Sequence, residues 1–199
     1  GAASDGEHMN PLEALLSRRS IPAQCLTGPG PDAAQLGAAL AAAMRAPDHG
    51  RMQPWRFRLV RGAARARFAA MLVACARARD PAMPPGQLDK LRSRPQQVPL
   101  VIVVSAQLRD NPKVPEIEQL LSTGASVMNL LNALHAQGFG AILLTGPSIY
   151  DPAVAAALGC EAGERLLGFV YVGTVGAVVP TAPARPASTA FVAEWFGLE

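Results

Sequence analysis

The helix-to-strand junction that decides the fold reads Arg45-Ala46-Pro47-Asp48-His49-Gly50-Arg51-Met52-Gln53-Pro54-Trp55-Arg56-Phe57. Before it, residues 32–45 carry apolar side chains at helical spacing behind a capping pair, and Pro47 ends that helix. At its end, Phe57 and Leu59 alternate with arginines, which is typical of a strand with one buried face. The junction therefore predicts a polar turn, with a histidine and a glutamine, between a helix and a strand.

The rest of the chain mixes helices and strands without a regular βαβ repeat, and it lacks the GxGxxG fingerprint of dinucleotide-binding folds. Apolar periodicity and capping residues predict helices over 10–20, 32–45, 63–79, 88–92, 115–137 and 152–158. β-branched and alternating runs predict strands over 56–59, 100–104, 141–144 and 166–172, with 100–104 and 141–144 in the interior of the sheet. These elements predict an α+β fold.

Length and composition favour one domain of moderate charge. Residues 1–8 are interpreted as the remnant of a cleaved tag, and 9–199 as the single domain. Removing Asp5 and Glu7 from the 15 acidic residues leaves 13 against 18 basic ones, and no block of Lys and Arg occurs. That balance does not favour nucleic acid binding, whereas a small anionic ligand is consistent with it.

The sequence shows no signal for a membrane span, for secretion or for a metal site. No apolar run approaches the roughly 18 to 20 residues of a membrane span, and the first residues do not form a secretory signal. We therefore expect a cytoplasmic protein without membrane contact. Cys25, Cys75 and Cys160 stand far apart with no CxxC pair, and the chain has three histidines. Neither a disulfide framework nor a metal site is expected.

The helix predicted over 115–137 is apolar on nearly all sides. A helix with so little polar surface must be buried on most sides, which in a chain of this size favours a dimer partner. The proline-rich tail over 173–185 and the apolar end at Phe191, Trp195 and Phe196 cannot easily bury themselves. We expect this tail to pack on a neighbouring subunit.

Arginines stand at the ends of two predicted helices, in Arg18-Arg19-Ser20 and at Arg45. A guanidinium presents a fork of donors that suits phosphate oxygens, and a serine hydroxyl adds another donor. Arginines near a helix C-terminus also complement the helix dipole without any ligand. From these residues alone, a phosphate site and a structural role are both open.

The junction over 45–57 resembles the nitroreductase family, in the small single-domain branch where a helix ends in an R-A-P-D-H-like turn and Q-P-W-x-F enters the first strand. Further matches in the family order are Arg18-Arg19-Ser20, Lys113-Val114-Pro115 with Glu118-Gln119, Gln137-Gly138-Phe139-Gly140 leading to Thr145-Gly146, and Gly168-Phe169-Val170-Tyr171-Val172-Gly173-Thr174. Together they run from about Leu12 to Thr174.

This resemblance implies an α+β fold with a central, mostly antiparallel sheet flanked by helices. It also implies an obligate homodimer that binds FMN noncovalently in two clefts shared between the subunits. NADH or NADPH would donate the hydride, and a small-molecule acceptor such as a nitroaromatic or a quinone would receive the electrons in ping-pong turnover. No catalytic side chain is required, because the flavin carries the chemistry.

Position by position, the resemblance also implies which residues bind the cofactors. Those for the FMN phosphate and ribityl chain are Arg18, Arg19 and Ser20. Those that meet the flavin from the partner subunit are Arg45 and His49, and those beside it on the return strand are Leu143, Leu144 and Thr145. Those associated with the nicotinamide cofactor are Ala133, Leu134, His135, Ala136, Gln137 and Gly138.

Two segments depart from the family pattern, at Arg51 and at Leu143-Leu144. Larger members carry an asparagine where this chain has Arg51, and close relatives often have Trp-Arg where it has Leu143-Leu144. The second change removes a cationic contact and replaces an aromatic wall by an aliphatic one, so weaker FMN affinity or an altered flavin potential is expected. Three other functions stay open: a flavin-sequestering protein with little turnover, a flavin-fragmenting oxygenase, and a purely structural dimer.

Four residues have structural interpretations that compete with a role in the site. His49 fits a hydrogen bond within the turn, and His135 fits a satisfied histidine on a buried helix. Trp55 fits a core aromatic at a strand entry. Gln53 fits either a flavin contact or a cap on the strand.

Overall fold

The computed structural model describes residues 10–197. The helices are α1 Pro11–Ser17, α2 Ala33–Ala43, α3 Ala64–Arg79, α4 Pro85–Gln97, α5 Glu116–Ala136 and α6 Pro152–Ala157. The strands are β1 Leu26–Thr27, β2 Trp55–Arg61, β3 Leu100–Gln107, β4 Phe139–Leu144 and β5 Glu164–Val175. Short 3₁₀ turns occupy Ala23–Cys25, His49–Arg51, Pro147–Tyr150 and Ser188–Phe191. The predicted tag segment, 1–8, lies outside the described residues.

The strands form one antiparallel sheet. Val172 of β5 pairs with Leu100 of β3 on one side and with Ala141 of β4 on the other, so β3 and β4 flank β5. The lateral order is β4, β5, β3, β2, and the two-residue β1 pairs with the last residues of β5. The expectation of a mostly antiparallel sheet flanked by helices is confirmed.

The strand predicted over 141–144 lies at an edge of the sheet and not in its interior. Among the described strands β4 pairs with β5 alone, and the side chain of Leu143 is exposed. A short apolar run predicts burial, but it carries no information on lateral position, which depends on the pairing of distant strands. The segment after α1 reaches this strand, because Ile21 N donates to Ala141 O at 3.0 Å.

Two cores lie on the two faces of the sheet, because successive residues of a strand point to opposite sides. Val101 and Val103 of β3 pack in the core that contains α3. Leu100, Ile102 and Val104 pack in the core that contains α2 and α5. This alternation explains why β3 is apolar at every one of these positions. The prediction of a central strand buried on both faces is confirmed.

The start of α2 follows a local sequence signal, whereas the extent of α4 does not. Gln35 N donates to Asp32 Oδ1 at 2.8 Å and Asp32 N donates to Gln35 Oε1 at 2.9 Å, which is the capping box predicted for α2. α4 is longer than the predicted 88–92, with Pro95 buried in its last turn, where a proline removes one helical hydrogen bond. No helix within residues 10–197 is long and apolar enough to cross a membrane.

Apolar side chains of α1, α5 and the tail are exposed in the single chain. They are Leu12, Leu15, Leu16, Ile117, Leu121, Met128, Phe191, Trp195 and Phe196. Within the chain α5 therefore buries the side that faces the sheet and α2, although its sequence is apolar on nearly all sides. The dimer, and the packing of the apolar end on a neighbour, stay predictions.

Candidate functional site

The turn after α2 is held by one carboxylate. Asp48 accepts hydrogen bonds from the backbone N–H groups of Met52, at 3.1 Å, and Gln53, at 2.9 Å. Gly50, Arg51 and Gln53 have left-handed backbone, with φ of 67°, 52° and 47°. For a residue other than glycine this conformation costs on the order of 1 to 2 kcal/mol, which the bonds to Asp48 offset. The turn is therefore preorganised to present its side chains.

His49 in this turn is held by the start of α5. Its Nδ1 lies 2.6 Å from Glu118 Oε2, and the two side chains are 57% and 41% exposed. The competing interpretation of His49 was a hydrogen bond within the turn, whereas the structure shows a long-range contact with α5. Arg45 is exposed just after α2, at the start of the same turn. The structure thus places Arg45 and His49 on one preorganised segment.

Gln119 fastens the segment before α5 to that helix, a role that sequence reasoning missed. Its Nε2 donates to Arg109 O at 2.8 Å and to Val114 O at 3.1 Å, and its Oε1 accepts from Arg109 N at 3.0 Å. The Arg109 guanidinium in turn donates to Met52 O. α5 and the turn after α2 are therefore one connected unit. The sequence signal for this role was a single glutamine within an apolar helix. In the structure this glutamine is only 2% exposed, so its amide needs hydrogen-bond partners.

A small cavity of about 180 Å³ lies at the opposite end of α5. Arg18, Arg19, Ser17 and His135 contribute to its lining, and Ser20 beside it is exposed. His135 Nε2 lies 2.8 Å from Ser17 Oγ. Burial, and secondly the charge of Arg18, lower the pKa of His135 from its usual value, so the ring is neutral at pH 7. The positive charge of the cavity comes from arginine.

The C-terminal tail adds a third arginine to this end. Arg19 Nη2 donates to Pro180 O at 2.5 Å, which brings the tail over the end of α1. Burial, and then the charge of Arg185, lower the pKa of Arg18 from its usual value. Within residues 10–197 none of these three arginines is paired with a carboxylate. Arg18 and Arg19 therefore line the cavity, and the charge of Arg185 acts on Arg18 from the tail.

The first part of the tail is tied to its own chain. Thr174 and Val175 complete β5, and Pro180 O accepts a hydrogen bond from Arg19, whereas residues 181–197 are exposed, so the packing of the tail on a neighbouring subunit stays a prediction. Thr174 Oγ1 also donates to Pro29 O at 2.6 Å. These bonds satisfy polar groups within the chain, which a proline-rich pattern does not reveal. The sequence pattern likewise did not single out Arg185 as a candidate for the site.

The return strand presents Leu143 and Thr145 at the surface, with Leu144 half-buried between them. A Cβ added to Gly168 of β5 would lie 2.6 Å from Leu143 Cδ1 and 3.0 Å from Leu144 O. Only glycine leaves room for Leu143 to lie across β5 in this way. The result is an apolar surface along the exposed edge of the sheet.

The segment matched to the nicotinamide cofactor, 133–138, closes α5. Leu134 is fully buried in the core, and Gln137 Nε2 donates to Gln35 O at 3.1 Å, which ties the helix end to α2. Gly138, with φ of 89°, ends the helix. His135 is the member of this segment that lines the arginine cavity. Structural roles therefore account for several of the matched positions.

A single chain does not bring all the predicted positions together. Glu118, beside His49, and His135, in the lining of the arginine cavity, are 17 residues apart on α5. At 1.5 Å per residue this separation is about 26 Å along the helix. The His49 side chain and the cavity that contains Arg18 therefore lie at opposite ends of α5.

The antiparallel sheet between two helical layers places the chain in a known class of fold. The structure matches the nitroreductase-like family protein from Bacillus cereus with a TM-score of 0.80, over 95% of this chain and 97% of that chain, at 22% identity. A mutant of the FMN and NADPH-dependent nitroreductase NfnB from sphigopyxis sp. strain HMH gives a TM-score of 0.73, over 96% and 100%, at 20% identity. The fold is that of the nitroreductase-like proteins.

Sequence comparison identifies the family to which this chain belongs. The family model described as Nitroreductase family matches residues 15–174. The Escherichia coli K12 protein named "Putative NAD(P)H nitroreductase YdjA" is 41% identical over 187 residues, which covers 92% of this chain and 98% of that protein. The chain belongs to the nitroreductase family, and the resemblance found in its sequence is confirmed.

Proposed function

We propose that this protein is an FMN-dependent oxidoreductase, which takes a hydride from NADH or NADPH and reduces a small acceptor such as a nitroaromatic or a quinone. The observation that carries the proposal is the cavity lined by Arg18 and Arg19, with the charge of Arg185 acting on Arg18 and none of the three paired with a carboxylate among the described residues. Three neighbouring cations are stabilised by an anion, and a phosphate group matches the donor geometry of arginine. The names of NfnB and YdjA support FMN and NAD(P)H as the cofactors.

The cavity suits the phosphate end of FMN. Its volume of about 180 Å³ is below that of pockets that enclose a whole organic ligand, typically ~300 to 1,000 Å³. The flavin ring would therefore lie outside the cavity, against the exposed surface of β4 formed by Leu143, Leu144 and Thr145. Ser20 would offer its hydroxyl to the ribityl chain that joins the two ends.

A second subunit completes the site in this proposal. His49, which contacts Glu118, lies about 26 Å along α5 from the arginine cavity, farther than one FMN molecule spans. A homodimer would bring His49, and Arg45 of the same turn, to the flavin held by the other subunit. The exposed apolar side chains of α1 and α5 supply a surface for such a dimer.

The protein's part in the reaction is to bind and orient, because bound FMN supplies the redox chemistry. The arginines hold the phosphate, and the apolar edge of the sheet shields one part of the flavin from water. Segment 133–138, with the neutral His135, is proposed to meet the nicotinamide donor. No side chain acts as a nucleophile. The cytoplasm, which supplies NADH and NADPH, is the proposed location.

A flavin-sequestering protein with little turnover is the second candidate. It is favoured by the exposed Leu143, which stands where close relatives carry an aromatic side chain. Steady-state oxidation of NADH and of NADPH, with a quinone or a nitroaromatic as acceptor, separates the two functions. Turnover supports the oxidoreductase, whereas bound FMN that neither donor reduces supports sequestration.

Titration with FMN and with riboflavin tests the arginine site directly. We expect Arg18→Ala and Arg185→Ala each to weaken FMN binding by about tenfold or more, since a hydrogen bond to a charged group contributes ~1.5 to 3 kcal/mol. Riboflavin affinity should not change, because riboflavin lacks the phosphate. Arg61→Ala, at an exposed position of β2, is the matched control. Failure of the wild-type protein to bind FMN would overturn the proposal.

A further inference from the structure

We infer that Glu118 is a positioning residue, which sets the tautomer and orientation of His49 and thereby the nitrogen that His49 presents to a ligand. His49 Nδ1 lies 2.6 Å from Glu118 Oε2. A carboxylate accepts hydrogen bonds and does not donate them, so Nδ1 carries the proton. In the neutral ring Nε2 then holds a lone pair and acts as an acceptor. The inference rests on the proposed function, in which His49 meets the flavin of the other subunit.

Both partners in this contact are fixed by their own neighbours. On one side, Asp48 holds the left-handed turn that carries His49 through the amides of Met52 and Gln53. On the other side, Glu118 precedes Gln119, which is buried and makes three hydrogen bonds to the segment before α5. The contact therefore joins two rigid segments. A hydrogen bond between preorganised groups holds a side chain in one orientation at little further entropic cost.

The exposure of the pair indicates a role beyond stability. The two side chains are 57% and 41% exposed, and a pair this open contributes little to folding. Carboxylates that accept from one nitrogen of a histidine commonly fix which nitrogen serves the functional partner. The polar edge of a flavin carries an N–H donor, which an Nε2 acceptor would complement.

The first experiment uses the full chain without FMN, so that its result does not depend on flavin binding. ¹⁵N spectra of the histidine rings at mildly alkaline pH, where histidine rings are neutral, report the tautomer directly. We expect His49 to show the Nδ1-protonated form, with its signals assigned by their loss in His49→Gln. Glu118→Ala should abolish that preference, and Glu118→Gln, which retains an oxygen acceptor, should keep it. An unchanged tautomer in Glu118→Ala would overturn the inference.

The second experiment measures FMN affinity in a double-mutant cycle. We expect Glu118→Ala to weaken FMN binding by about three- to tenfold, the range for loss of one neutral hydrogen bond. The effect should vanish in the His49→Ala background, because Glu118 acts through His49. An equal loss in both backgrounds would contradict a positioning role.

Glu116→Ala is the matched control for both experiments. Glu116 lies two positions before Glu118 in the first turn of the same helix and pairs with Arg165 at 2.6 Å, so its removal takes away the same charge. Neither the His49 tautomer nor FMN affinity should change in this variant. If the wild-type protein binds no FMN, the proposed function fails, whereas the tautomer spectra still decide whether Glu118 positions His49.

Discussion

Arg58 and Glu164 form an ion pair across the sheet in which the carboxylate side chain is 3% exposed and the guanidinium 28%. Arg58 Nη2 donates to Glu164 Oε2 at 3.0 Å and to Gly159 O at 3.0 Å. Ser105 Oγ donates to the other carboxylate oxygen at 2.5 Å. The network joins β2, β3 and β5 at the end of the sheet, and it satisfies both oxygens of the carboxylate.

Removing the cation from this pair should destabilise the protein. Arg58→Ala leaves a buried carboxylate without its counter-charge, and loss of one partner from a buried pair costs ~3 to 5 kcal/mol. Because Arg58 is partly exposed, we expect a smaller loss than for a fully buried pair, about 2 to 4 kcal/mol, in urea unfolding. Arg61→Ala on the same strand should change the free energy of unfolding by less than about 0.5 kcal/mol. Equal effects of the two substitutions would show that the pair does not stabilise the fold.

The same carboxylate should contribute to stability in acid. Hydrogen bonding to Arg58 is the main cause that lowers the pKa of Glu164 to about 2, from an ordinary 4.5. A group with a lowered folded pKa stabilises the fold fully above its unfolded pKa, and this contribution is lost as the pH falls toward the folded pKa. Between pH 4.5 and 2 we therefore expect a flatter loss of stability in Glu164→Gln than in the wild type. Urea unfolding at a series of pH values tests this, and parallel curves would contradict it.

Gln119 should be essential for the order of the segment before α5. Gln119→Leu removes its two donated bonds and one accepted bond, and it leaves Arg109 and Val114 with unpaired backbone groups. Each unpaired buried group costs ~1 to 3 kcal/mol, so we expect a total loss of about 2 to 4 kcal/mol after relaxation. Hydrogen exchange at the Arg109 amide should accelerate. Gln96→Ala, which loses one exposed bond to a helix carbonyl, should leave both properties unchanged.

A side chain at position 168 should destabilise the protein. In Gly168→Ala the new Cβ meets Leu143 Cδ1 at 2.6 Å and the backbone oxygen of Leu144 at 3.0 Å, so β4 must shift. We expect a loss of about 1 to 3 kcal/mol in unfolding free energy, the range for overpacking. The FMN affinity of this variant should also fall, because β4 is proposed to lie against the flavin. Gly86→Ala in α4, with no atom within 4 Å of the new Cβ, should be neutral or stabilising. Matching stabilities in the two variants would show that β4 adapts without strain.

The sequence by itself determined the family, the α+β class and most of the elements, because those signals are local. The capping box of Asp32 and Gln35 spans four residues, and the double-sided burial of β3 follows from its continuous apolar run. The junction over 45–57 identified the turn that carries Arg45 and His49. Trp55 in that junction is buried, as expected of an aromatic at a strand entry.

Tertiary structure alone decided which distant groups meet. Glu118 lies 69 positions from His49, and Pro180 lies 161 positions from Arg19, so no periodicity or capping rule could pair them. The edge position of β4 and the effect of the Arg185 charge on Arg18 likewise depend on how the strands pair and where the tail returns. Local patterns set the burial of a residue, whereas its partner across the fold is set by the packing of the whole chain.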